Sequence, residues 1–158
     1  MGAASVRTKS RTYALLLLMQ TLAVVVLLAG TLPIYLELLA LPGRQLAVMP
    51  QSPVLLVAAL LLFHCAYWFR LTRVPIVVRR HNLVLSHLVL FIARLSFIFG
   101  AAFFGLIAFR HLPSLAEVTD TFMLVMRLGA ALIILFSLYC YSTELERLGQ
   151  AIRPPSRD

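Results

Sequence analysis

Residues 82–109 read NLVLSHLVLFIARLSFIFGAAFFGLIAF, a run whose only charged side chain is Arg94. A helix rises about 1.5 Å per residue, and about 20 apolar residues cross the ~30 Å hydrocarbon layer of a bilayer. The run has length to spare for one crossing. It lacks the two-residue alternation of a barrel strand, and a lone strand in lipid would leave its backbone groups unpaired. It reads as a membrane-spanning helix.

Three further runs, 13–32, 53–69 and 121–141, satisfy the same test. Hydrophobic residues make up 61% of the chain and charged residues 13%, against about 25% charged in a soluble domain. The expected fold class is therefore all-α: a polytopic membrane protein, a bundle of four transmembrane helices. It forms one membrane domain over 1–158, with tails 1–12 and 142–158. The first run follows a basic leader (Arg7, Lys9, Arg11), as a secretory signal would. Its apolar stretch is too long for a signal and no small-x-small cleavage site follows, so it is expected to stay as a span.

Basic residues set the orientation. The N-terminal tail holds Arg7, Lys9 and Arg11; the second connection Arg70, Arg73, Arg79 and Arg80; the C-terminal tail Arg147, Arg153 and Arg157. The other two connections hold only Arg44 and Arg110. This alternation follows the positive-inside rule and puts both termini in the cytoplasm, with a bacterial cell inner membrane as the expected location. It also accounts for the net charge of +8, so nucleic acid is not an expected partner. Arg70, Arg73, Arg79 and Arg80 flank an apolar segment and are expected to meet anionic lipid headgroups. In the first connection Pro33, Pro42, Pro50 and Pro53 argue against a continuous helix, and 35–41 is expected to lie along the outer face. The last helix should run on through Glu144, Glu146 and Arg147 and stop near Gly149 and Pro154-Pro155.

Arg94 is the most informative residue. It lies about 18 Å beyond Asn82 and about 22 Å short of Phe109, too far to snorkel either way. Unpaired at that depth it costs at least ~2.5–3.5 kcal/mol. Arg127 lies about 9 Å inside its span. Counting from the cytoplasmic ends of the two runs sets the two arginines at nearly one depth, with no acidic residue of any span beside them. A partner's carboxylate, a lipid phosphate or an anionic ligand is expected to supply the counter-charge. Ala101 and Gly105 share the face of Arg94 and leave room for a packed neighbour. Nearer the cytoplasm, His64 and His87 fall at one depth, close to Gln20, Ser86 and Ser137. Two such histidines are the minimum for bis-histidine haem b ligation, although they equally suit a structural polar cluster. Cys65 and Cys140 have no CxxC or metal-ligand spacing and read as small apolar side chains. No metal set, phosphate loop or catalytic constellation is present in the sequence, so no catalytic residue is assigned.

Three functions fit these residues. The first is a non-enzymatic accessory subunit or assembly factor of a larger membrane complex, paired through Arg94 and Arg127 with another membrane protein subunit or by self-association. The second is a small electron-transfer subunit holding haem b between His64 and His87. The third is a small transporter or channel in which the arginines line a path for an anion.

Overall fold

The computed structural model describes residues 3–40, 53–76, 78, 81–115 and 121–155. Four α-helices follow in order: α1 Ala3–Ala40, α2 Pro53–Arg73, α3 Leu83–Leu115 and α4 Thr121–Ile152. There is no strand among the described residues. Each helix contains a stretch long and apolar enough to cross a bilayer: Thr8–Pro33, Pro53–Arg73, Leu83–Ala102 and Leu128–Ile152. The chain divides into two compact units, Met1–Val78 and Arg79–Asp158. Each is a helical hairpin.

In the first unit α1 and α2 run antiparallel. Gly30 meets Leu56 near one end of the pair, and Tyr13 meets Arg70 near the other. α2 opens on Pro53, whose ring presets the helical φ and lacks a donor that the first turn would leave unused anyway. It closes where the Val74 N–H donates to the Arg70 carbonyl at 3.0 Å, just before Pro75. α1 does not stop at Pro33; it runs on to Ala40, so the helix break expected at that proline does not occur. Proline removes one N–H from the ladder, but threonine hydroxyls and neighbouring helices accommodate such freed groups inside a membrane. Residue 41 and the remaining prolines of the connection before Pro53 lie outside the described residues.

The second unit is held by a seam of small residues. Ser86, Ala93 and Gly100 recur every seven residues along α3 and all are buried. They let the backbones approach closely enough for side chains of one helix to bond the carbonyls of the other. The Ser86 Oγ donates to the Gly149 carbonyl at 2.7 Å, and the Ser142 Oγ to the Ala93 carbonyl at 2.8 Å. Asn82 caps α3, accepting from the Leu85 N–H at 3.1 Å. Its own N–H donates to the carbonyl of Ile152 at 3.1 Å, tying the start of α3 to the last turn of α4. Other hydroxyls turn back on their own helix: Ser96 donates to the Ile92 carbonyl and Ser137 to that of Ile133.

Those contacts fix the register. Ser86 is level with Gly149, Ala93 with Ser142, Phe97 with Tyr139, and Gly100 with Leu138. α4 continues to Ile152, as its polar last turns suggested, and that end pairs with the start of α3. The helix and the candidate stretch Leu128–Ile152 both run past Tyr141 and include Glu144 and Glu146.

Close approach at Gly149 gives a direct test. A Cβ there would lie 2.8 Å from Leu90 Cγ, 2.9 Å from its Cδ2 and 3.3 Å from its backbone N, so a rotamer change of Leu90 relieves only part of the clash. Gly149→Val is expected to lower hairpin stability by about 1–3 kcal/mol in SDS-driven unfolding from mixed micelles. Gly129→Ala, where nothing lies within 4 Å, should leave it nearly unchanged.

Candidate functional site

α3 places Arg94 by its neighbour. Ala93 is sealed in the seam, 1% exposed. One residue further the helix has turned by about 100°, which carries Arg94 out of the seam and onto the exposed surface. It sits eleven residues past Leu83, about 16 Å along the axis, and inside the candidate span. His87, Ala101 and Gly105 follow the same side at helical spacing and are exposed as well. Nothing lies within 4 Å of where a Gly105 Cβ would be. The small residues that close the hairpin are thus Ser86, Ala93 and Gly100, while the second small pair, Ala101 and Gly105, is left facing outward. Arg94 forms no hydrogen bond or ion pair with any described residue.

The two arginines do not share a level. Arg94 is level with Tyr141 across the seam, and Arg127 lies fourteen residues before Tyr141 along α4, about 21 Å away. The equal-depth expectation failed because it counted from Tyr141, where the apolar run ends, whereas the helix pairs from Ile152. The same shift brings acidic residues to the depth of Arg94. Glu144 is fully buried and Glu146 is exposed, both within about a turn of Ser142. The side chain of Arg127 lies outside the described residues.

Arg70, expected at the headgroups, is turned inward. It is 4% exposed, and its guanidinium carbon lies 5.3 Å from the centroid of the Tyr13 ring. A desolvated cation over an aromatic face gains about 2 kcal/mol, which offsets part of the cost of burying the guanidinium. Arg73 is exposed, as headgroup contact requires. Arg79 and Arg80 lie outside the described residues.

The histidines fall in different units. In the first, His64 is half-buried and meets the edge of Phe63, ring centroids 5.4 Å apart. In the second, His87 is exposed on α3. Among the described residues no three His, Cys, Asp or Glu side chains gather as metal ligands would. Gln20 is fully buried, and neither its amide nitrogen nor its oxygen has a hydrogen-bond partner. Sequence reasoning named Gln20 as the strongly polar residue of the first span but could not show that its side chain is fully buried.

The fold makes this chain an integral membrane protein, all-helical, with four helices able to span the bilayer. No protein family, curated protein or solved structure matches it.

An unbonded buried amide costs about 1–3 kcal/mol. Methionine is unbranched, apolar and close to glutamine in volume. Gln20→Met is therefore expected to raise the stability of the first hairpin by about 1 kcal/mol in the same SDS titration. A fall of that size would show that the amide is bonded in the membrane.

Proposed function

We propose that the chain is a non-enzymatic accessory subunit or assembly factor of a larger membrane complex, and that it docks on another membrane polypeptide through the Arg94 face of α3. The observation that carries this is Arg94 itself: a guanidinium exposed within an apolar span and bonded to no described residue. Left in lipid it costs at least ~2.5–3.5 kcal/mol. A carboxylate carried in by a partner removes that cost and gains a charge-assisted, directional bond. The open strip at Ala101 and Gly105 supports the same reading, because it lets a partner backbone come close on the same side.

The membrane is a bacterial cell inner membrane, and both termini face the cytoplasm. The placement of the basic residues supports this: ten flank the cytoplasmic ends and two, Arg44 and Arg110, the opposite ends. Arg127 remains a second candidate for partner contact in α4.

Arg94→Ala tests the reading. After extraction in mild detergent, the variant is expected to retain its membrane partners about tenfold less well than the wild type, the scale of one lost intramembrane ion pair. Unchanged co-purification, with the variant inserted at normal levels, would contradict it.

A further inference from the structure

The hairpin of α3 and α4 presents both signs of charge on one side. Phe97 and Tyr139 mark that side: their rings meet across the seam at 6.1 Å while remaining 44% and 52% exposed. Arg94 lies three residues before Phe97, and Glu146 lies seven residues after Tyr139, so each shares its marker's side of the helix. Both are exposed, and neither is bonded to any described residue. Ser142 is level with Ala93, so Glu146 and Arg94 differ in depth by about five residues, or ~7.5 Å. The side chains narrow that gap. Helical side chains lean toward their helix's N-terminus, and α3 and α4 are antiparallel, so the two heads lean toward each other.

We infer that this face pairs with the same face of a second copy, so that Arg94 of each chain meets Glu146 of the other. The inference rests on the docking reading above and names the partner at that face. A two-fold axis along the bilayer normal leaves every depth unchanged. Turning one hairpin to face its copy sets α3 opposite the partner's α4. Both ion pairs then form at once, as an isologous interface demands. Phe97 and Tyr139 pack between them, and the open strip at Ala101 and Gly105 lies along the edge of the contact. A lone acid-bearing helix would answer Arg94 and leave Glu146 in lipid, whereas a second copy answers both. The unit that enters a larger complex is therefore a dimer.

Charge reversal tests this with differently tagged copies of the full chain co-expressed in one membrane. The wild type is expected to pair in mild detergent and in nanodiscs. Arg94→Glu and Glu146→Arg, made singly, should each weaken pairing by about tenfold or more, and Arg94→Gln and Glu146→Gln should weaken it in the same direction. The doubly reversed chain, Arg94→Glu with Glu146→Arg, should pair with itself again. It should not pair with the wild type, where like charges would meet. Self-pairing of the doubly reversed chain also shows that it folds. Free mixing of that chain with the wild type, or a wild-type dimer indifferent to all four single changes, would overturn the inference. A monomeric wild type that still holds other membrane proteins through Arg94 would overturn it and leave the docking reading standing. A monomer that holds none would remove both.

Discussion

Hydrocarbon offers no hydrogen bonds, so every polar group that enters it must find its partner within the protein. Most of this structure obeys that constraint directly. The backbone closes on itself in four helices, and Thr21, Thr31, Ser96 and Ser137 return their hydroxyls to carbonyls of their own helix. Ser86 and Ser142 instead reach carbonyls on the facing helix, one at the end and one at the middle of the small-residue seam, and so fix its register. Asn82 completes the set by bonding both its own helix and the last turn of α4. Arg70 is held by an aromatic face. Arg94 is a charged group, deep in the candidate span of α3, that this scheme leaves on the outside.

Much of the fold was legible from the sequence because span length and apolarity are one-dimensional properties. The four helices, the continuation of α4 past Tyr141 and its stop before Pro154-Pro155 all follow from composition and breakers. Register was not legible. The apolar run of α4 ends at Tyr141, yet the packed helix is paired from Ile152, and that difference moves Arg127 away from Arg94 and brings Glu144 and Glu146 close. A signal was present in the seven-residue recurrence of Ser86, Ala93 and Gly100, which identifies the packed face of α3 and leaves Arg94 outside it. Pro33 misled for a different reason: the rule that proline ends helices is weaker where neighbours and hydroxyls can take up the freed carbonyl. Arg70 misled because a helix-end arginine satisfies the headgroup rule and the cation–π rule equally, and only the position of Tyr13 decides between them.

The exposed charges are costly to the isolated chain and useful to an assembled one. An apolar residue in place of Arg94 would insert more readily, and one in place of Gln20 would remove two buried unbonded atoms. Keeping both groups makes the chain least comfortable alone. In lipid, where apolar surfaces gain little by meeting one another, a charge pair and a small-residue strip are among the few means of choosing a partner. The α3 surface has one charge, Arg94, and the small-residue strip on the same side of the helix.

The central claim is that Arg94 stands in hydrocarbon and not in water. Nitroxide labels at Phe91 and Ile98 flank it by about one turn and leave the arginine in place, in a chain whose Cys65 and Cys140 are replaced by alanine. In bilayers the account predicts high collision rates with oxygen and low rates with a nickel chelate at both positions, set against a label at the water-accessible His81. Nickel collision rates at Phe91 and Ile98 matching those at His81 would place the arginine in a wet vestibule and contradict the account.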